Sequence, residues 1–137
     1  MPRLTLLSVA HPWHCDAMGH MNVRHYAAMF DDASFQLLGH VAALSNPDLG
    51  WADVRCETDY RNETQVGTLL SISTGITRLG RSSLTYRHVM TDTASGDLKA
   101  EALVTTIRFD LKARRSIALS VDERARAEAL LAGAETT

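Results

Sequence analysis

The chain has 137 residues and a formal net charge of -2, with 45% hydrophobic and 22% charged residues. This balance is ordinary for a globular protein, and we expect one domain over residues 1–137, with the last residues from about 133 frayed. No basic cluster is larger than Lys112, Arg114 and Arg115, which argues against a nucleic-acid partner. No stretch reaches the roughly 18 apolar residues that a membrane span needs.

The amino terminus lacks the form of a signal peptide, since its apolar run is short and alternates with polar residues. Two cysteines, Cys15 and Cys56, are too few for a disulfide framework. We therefore expect a cytoplasmic protein.

The first half of the chain predicts one strand and one long helix. Leu4–Ala10 is a β-favouring mixture that Pro12 stops. From Val23 to about Leu44 apolar residues recur at steps of three or four, which is helical periodicity. Most of this helix is apolar, so we expect burial nearly all round, with Gly39 as a point of loosening and Ser45-Asn46-Pro47 as the end.

The second half predicts consecutive strands separated by turn residues. The four clear strands are Trp51–Tyr60, Val66–Leu79, Ser82–Asp92 and Leu98–Asp110. A weaker strand near Arg115–Leu119 precedes a terminal helix over Val121–Ala132, which Ser120 opens. Hairpin-linked strands favour a mainly antiparallel sheet.

The most informative stretch is HPWHCDAMGHMNVRHY, from His11 to Tyr26, where a polar loop runs into the long helix. Asp16 is the only carboxylate between Met1 and Met29, and it lies six residues before Asn22, a favoured helix N-cap. Asp16 has two interpretations. It is either a loop residue that bonds nearby backbone N–H groups, or a carboxylate facing an electrophile at the helix N-terminus, where developing negative charge is favoured.

The residues Asp16, Gly19, His20, Met21 and Asn22, followed by Tyr26, resemble the active-site segment of hotdog-fold acyl-CoA thioesterases of the 4-hydroxybenzoyl-CoA thioesterase type. The order of later elements agrees, so the resemblance spans Leu4 to Leu119. Val23 departs from it, because some members carry a His there. The resemblance implies an α+β hotdog fold, in which a curved, mainly antiparallel sheet of about five strands wraps a long central helix.

The same resemblance implies hydrolysis of an acyl-CoA thioester with no cofactor beyond the CoA of the substrate. Asp16 would be the nucleophile or general base, and the backbone N–H of Val23 would donate to the thioester oxygen. Gly19 would permit close backbone approach. His20 and Asn22 would support the loop or cap the helix, although His20 has an equal alternative as a packed structural histidine.

Two adjacent acids on the predicted helix, Asp31 and Asp32, are rivals to Asp16, since some hotdog enzymes carry the catalytic acid there. The sequence does not determine the identity of the acyl group. Aromatic residues would suit an aromatic or cationic acyl group, and aliphatic chains of medium length fit equally well. These aromatic residues are Trp13, Tyr26, Trp51 and Tyr60.

Positive charge at the surface would serve the phosphates of CoA. Arg78, Arg81, Ser82 and Ser83 cluster about Gly80 and would bind them, as the corresponding turn does in the family that the chain resembles. The alternative is an ordinary solvated hairpin.

A metal site is a weaker hypothesis, although five possible metal ligands lie close together near the amino terminus: His11, His14, Cys15, His20 and His25. No pair of these histidines has the i, i+4 spacing of helical zinc sites, and we expect no metal.

Two other functions remain open on the same fold: a non-catalytic module that binds acyl-CoA, and a hotdog hydratase or dehydratase. We further expect a homodimer or a dimer of dimers. One helix covers only one sheet face, and free sheet edges are rare in natural proteins.

Overall fold

The computed structural model describes residues 2–131. A single 3₁₀ turn, Pro12–His14, joins the first strand to the long helix. In chain order the helices and strands are β1 (Arg3–Val9), α1 (Val23–Val41), β2 (Leu49–Tyr60), β3 (Leu69–Leu79), β4 (Ser83–Asp92), β5 (Leu98–Asp110), β6 (Arg115–Ser116) and α2 (Val121–Glu128).

All strands form one sheet in the order β1-β3-β4-β5-β2, and the two-residue β6 pairs with β5. Every ladder between these strands is antiparallel. The predicted sheet of about five mainly antiparallel strands is therefore confirmed. Among the strands within residues 2–131, β2 pairs with β5 alone, so its other edge is open in this part of the subunit.

The long helix α1 packs one face against the sheet. Its buried residues recur every three or four positions: Tyr26, Met29, Phe30, Ala33, Ser34, Leu37, Leu38 and Val41. The prediction of burial nearly all round is wrong for a single subunit, because the side chains of Val23 and Phe35 are 58% and 57% exposed. The residues that recur every three or four positions therefore face the core of the subunit, and the additional apolar residues Val23 and Phe35 face outward.

Several predicted boundaries shift. The helix α1 ends at Val41 and not near Leu44, because Ala42 is already extended, and Gly39 does not interrupt it. β2 begins two residues earlier than predicted, at Leu49. β3 begins at Leu69 and not at Val66, because Gly67 takes a left-handed φ of 89° in the preceding turn.

The carboxyl-terminal elements are shorter than predicted. β6 contains only Arg115 and Ser116. The helix α2 ends at Glu128, and the predicted end at Ala132, like the tail from about 133, lies outside the described residues. The predicted start at Ser120 is confirmed, since Ser120 and Glu123 form a reciprocal capping box.

Candidate active site

The loop from Asp16 to Gly19 is a tight turn held by the side chain of its first residue. The Asp16 Oδ1 atom accepts hydrogen bonds from the backbone N–H of Met18 at 2.9 Å and of His20 at 3.3 Å. Gly19 has a φ of +80°, and nothing lies within 4 Å of the position that a Cβ would take. The turn therefore requires glycine for its backbone conformation. The expected close approach of a substrate there stays a prediction.

Only one of the two carboxylate oxygens of Asp16 takes part in this turn. Within residues 2–131, the Asp16 Oδ2 atom has no hydrogen-bond or ion-pair partner, and the residue is exposed. The two interpretations of Asp16 are thus compatible. One oxygen fixes the loop, and the other is free to act on a ligand.

The start of α1 lies directly beyond this loop. The Asn22 Oδ1 atom accepts from the backbone N–H of Arg24 at 3.2 Å, which confirms Asn22 as the N-cap. The backbone N–H of Val23 is the first of the helix, and no acceptor for it is present in the described part of the chain. This N–H lies at the positive end of the helix dipole, where it can bind a negative oxygen.

The segment between β2 and β3 holds the loop from the other side. The backbone N–H of Met21 donates to the Thr64 carbonyl at 2.7 Å, and the Tyr26 hydroxyl donates to Thr64 Oγ1 at 2.8 Å. Thr64 is fully buried. Burial raises the pKa of Tyr26 above its ordinary value, so its hydroxyl stays a donor. Thr64 was not predicted as a site residue, and its place after a strand end is the one feature of the sequence that could have indicated it.

These groups share one cavity of about 300 Å³ beside the helix start, here called the loop cavity. Its lining residues are Asp16, Met18, His20, Met21, Val23, Tyr26, Tyr60, Arg61, Asn62, Glu63 and Thr64. Four of the six predicted catalytic residues therefore line one cavity, and the other two, Gly19 and Asn22, form the turn and the helix cap beside it.

His20 is half-buried in this cavity, and its Nε2 atom lies 3.1 Å from Glu63 Oε2. Glu63 was not predicted as a site residue. Its side chain is 74% exposed, so the pair is a weak surface interaction that orients the imidazole.

The predicted CoA-binding hairpin lies at the other end of the sheet. Arg78 and Arg81 are exposed, and neither forms an ion pair with another residue of the described chain. Gly80 permits the turn, since a Cβ there would collide with the Ser83 hydroxyl. β3 separates this hairpin from the loop cavity, and its 11 residues span roughly 35 Å at about 3.3 Å each. One subunit therefore does not bring the two predicted sites together.

The acids on α1 have different surroundings. Both are exposed, but Asp31 lines a second cavity between α1 and β2, whereas Asp32 lines neither this cavity nor the loop cavity. Neither reaches the loop cavity.

The histidines of the front segment pack against one another. The ring of His11 stacks on Trp13 at 4.2 Å, and the rings of His14 and His25 lie 4.7 Å apart. Over residues 2–131, no group of three or more His, Cys, Asp or Glu side chains is placed to hold a metal ion. No helix in that range is long and apolar enough to cross a membrane.

Residues 10–130 match the thioesterase-like superfamily. The chain belongs to this superfamily. This thioesterase is 24% identical over 122 residues to the long-chain acyl-CoA thioesterase FadM of Escherichia coli, which covers 87% of this chain and 92% of FadM. The predicted family resemblance is therefore confirmed, and the protein is a thioester hydrolase.

Solved structures resemble the thioesterase along nearly its whole length. The probable thioesterase YbaW of Escherichia coli has a TM-score of 0.81 and 22% identity, covering 94% of this chain and 99% of YbaW. The protein SAV2348 of Staphylococcus aureus, solved in complex with CoA, has a TM-score of 0.83 and 17% identity, covering 96% and 87%. These similarities confirm the predicted hotdog fold.

Proposed function

We propose that the thioesterase hydrolyses acyl-CoA thioesters to a free acid and CoA at the loop cavity. The observation that carries this proposal is that Asp16, with its free carboxylate oxygen, and Val23, with its unpaired backbone N–H, line the same cavity. Asp16 either attacks the carbonyl carbon or takes a proton from the attacking water. The N–H of Val23 stabilises the negative charge that develops on the carbonyl oxygen, and the C–S bond then breaks to release the thiol.

Support for acyl-CoA as the substrate comes from relatives. FadM is a long-chain acyl-CoA thioesterase by name, and SAV2348 binds CoA. CoA is part of the substrate, so the proposed reaction needs no cofactor. Cytoplasmic residence stays an expectation.

We also propose that the active unit is a homodimer formed through β2. β2 has an open edge and carries the exposed Val54, and two exposed apolar residues of α1 lie near this strand: Val23 shares a cavity with Tyr60, and Phe35 shares one with Trp51. A two-fold axis through this edge would pair β2 with its copy antiparallel. The Tyr60 end of each β2 then lies beside the Leu49 end of the other.

This pairing gives the Arg78–Ser83 hairpin a role. The hairpin lies at the Leu49 end of β2, because the backbone N–H of Arg108 donates to the Ser82 carbonyl and its guanidinium donates to the Gly50 carbonyl. In the dimer, the hairpin of one subunit approaches the loop cavity of the other. We propose that it binds the phosphates of CoA there. Two such dimers would form the predicted dimer of dimers.

The test of the function is a panel of acyl-CoA esters in which both free thiol and free acid are measured. We expect stoichiometric release of the two products. Formation of a double bond would favour a dehydratase, and tight binding without turnover would favour a binding module. Either result would contradict the proposal.

A further inference from the structure

The Arg78–Ser83 hairpin is held from behind by hydrogen bonds to its backbone carbonyls. The Arg124 Nη2 atom, on α2, donates to the Gly80 carbonyl at 2.6 Å and lies 3.5 Å from the Arg81 carbonyl. The backbone N–H of Leu119 donates to the same Arg81 carbonyl at 3.0 Å. Residues of the carboxyl-terminal segment therefore fix two successive peptide groups of the turn.

These contacts decide which way the turn presents its N–H groups. The carbonyl and the N–H of one trans peptide group point in opposite directions, and every described peptide bond is trans. The Gly80 carbonyl points to Arg124, so the N–H of Arg81 points away from α2. The N–H of Ser82 points away from Leu119 for the same reason. Neither N–H has an acceptor within residues 2–131, so the turn offers two adjacent unpaired donors.

The surroundings of these two donors suit an anion. Adjacent backbone N–H groups in a turn form concavities that bind phosphates and other anions. The exposed side chains of Arg78 and Arg81 add positive charge beside them. The function proposed above places the phosphates of CoA at this hairpin. The direction of the N–H groups is then part of the binding site, and it depends on what holds the carbonyls.

Arg124 can hold the turn because α2 is itself anchored at the preceding residue. Glu123 is buried, and its Oε2 atom lies 2.8 Å from Arg108 Nη2 on β5. Its Oε1 atom accepts from the backbone N–H of Ser120 at 2.9 Å, within the capping box that begins α2. The backbone N–H of Arg108 donates in turn to the Ser82 carbonyl at 2.8 Å. The first turn of α2 therefore joins β5 to the hairpin.

We propose that Arg124 is a positioning residue for the CoA site, because by holding the Gly80 carbonyl it keeps the N–H of Arg81 directed toward the phosphates. This inference rests on the proposed binding of CoA by the hairpin. Without Arg124, the hairpin stays attached through Leu119 and Arg108, but the peptide group between Gly80 and Arg81 is free to rotate. The ligand must then order that group, which weakens binding.

The experiment compares Arg124→Met with Arg126→Met. Methionine keeps an unbranched apolar stem and removes the guanidinium. Arg126 is the matched control, because it lies on the same helix and its Nη1 atom donates to the Val41 carbonyl at 3.3 Å, at the end of α1 and not in the hairpin. Each variant therefore loses one positive charge and a hydrogen bond to a backbone carbonyl.

Three quantities are measured for each protein: the Kd of free CoA by calorimetry, and kcat and KM for a CoA ester and for the N-acetylcysteamine thioester of the same acid, which lacks the nucleotide. Arg124→Met should raise the Kd of CoA and the KM for the CoA ester by about fivefold, with kcat nearly unchanged. Its KM for the truncated thioester should equal that of the wild type. Arg126→Met should keep the wild-type values throughout.

Two further measurements separate positioning from charge and from loss of the fold. Raising the salt from about 0.05 M to about 0.5 M screens exposed charges, so the ratio of the two Kd values, Arg124→Met to wild type, should persist if a hydrogen bond is the cause. Arg124→Lys keeps the charge and the stem but replaces the planar fork by one ammonium. It should raise the Kd of CoA by about twofold, and it serves as the test variant where Arg124→Met does not fold.

The outcomes separate the two claims. A wild-type Kd of CoA in both Arg124 variants, or an equal loss on the CoA ester and the truncated thioester, overturns the positioning role and leaves CoA binding intact. A Kd ratio that disappears at high salt also overturns it, because Arg124 would then act by its charge alone. A wild-type Kd of CoA in a protein that carries both Arg78→Ala and Arg81→Ala would contradict the proposed binding of CoA by the hairpin itself.

Discussion

The two carboxylate oxygens of Asp16 have different surroundings. Its Oδ1 atom closes the turn through the N–H groups of Met18 and His20, while Oδ2 has no partner within residues 2–131, and the residue lines the loop cavity. A carboxylate that is oriented by its own loop needs no distant partner, which explains why a short stretch of sequence was enough to find it. Asn22 is similar, because an N-cap is a local contact.

The contacts that Thr64 and Glu63 make with the loop could not be predicted from the sequence. They reach the loop across 38 and 43 residues of chain, through Tyr26 and His20. Their residue types carry no spacing pattern that predicts such contacts. Only the folded sheet brings them to the site.

Thr64→Val should destabilise the protein. The substitution keeps the shape but leaves the buried Tyr26 hydroxyl without its acceptor, which costs about 1–3 kcal/mol. The free energy of unfolding in urea measures the loss. Thr64→Ser keeps a hydroxyl and serves as the control. Equal stability of the valine variant and the wild type would show that this hydrogen bond does not contribute to the free energy of unfolding.

At the scale of elements, a buried hydrogen-bond chain joins three strands and α1. Thr5 of β1 contacts Thr74 of β3 at 2.8 Å, Thr74 contacts His88 Nδ1 of β4 at 2.6 Å, and His88 Nε2 contacts Ser34 of α1 at 2.9 Å. Burial lowers the pKa of His88 to about 4. The folded protein therefore holds this histidine neutral.

Lowering the pH should reduce the free energy of unfolding through the protonation of His88 in the unfolded chain. Between pH 6.5 and about 4 the unfolded chain binds a proton that the folded protein does not, so the stability is complete above pH 6.5 and is lost as the pH falls. We expect a loss of about 2 kcal/mol in the free energy of unfolding between pH 7.5 and pH 5.

Urea denaturation at the two pH values measures this dependence. His88→Gln should show a smaller loss than the wild type, and His40→Gln, which changes an exposed histidine, should keep the wild-type dependence. The same pH dependence in all three proteins would mean that other groups cause it.

The Arg78–Ser83 hairpin should act on the nucleotide part of the substrate. Arg78→Ala and Arg81→Ala are expected to raise KM for CoA esters several-fold and to leave KM nearly unchanged for a truncated thioester without the nucleotide. Arg3→Ala, on the edge strand β1 and outside the hairpin, is the control. Equal effects on both substrates would instead assign the hairpin a structural role.

The elements themselves were largely predictable, because their periodicities are local. The spacing of the apolar residues predicted α1 and the strands, and β5 has its predicted bounds. The ends were less predictable, since a change of backbone at Ala42 or a positive φ at Gly67 decides them. The sequence predicted CoA binding by the hairpin but not its distance from Asp16, which lies at the opposite end of the sheet within one subunit.

On the scale of the whole molecule, the apolar residues left on the outside of α1 indicate where a second copy binds. The exposed Val23 and Phe35 explain why the sequence predicted burial all round, and the open edge of β2 lies beside them. In the proposed dimer each site takes Asp16 from one subunit and the hairpin from the other.

Hybrid dimers should therefore recover activity. An Asp16→Asn subunit supplies an intact hairpin to a partner that carries Arg78→Ala and Arg81→Ala but an intact Asp16. Mixing the two inactive or impaired homodimers under exchange should restore up to about half of the wild-type activity in the hybrid species, one site of two. Light scattering gives the mass of the active species, and a fully active monomer would contradict the shared site.

The most direct measurement of the central claim is the turnover of Asp16→Asn on an acyl-CoA ester, beside Asp32→Asn as a control acid outside the cavities. The substitution keeps the shape of the side chain and of the turn but removes the charge of Oδ2. We expect kcat to fall by at least about 100-fold, the scale of a lost acid–base group, with an unchanged urea transition. Near-normal turnover in Asp16→Asn, together with its abolition in Asp31→Asn or Asp32→Asn, would place the catalytic acid on α1 and contradict the account.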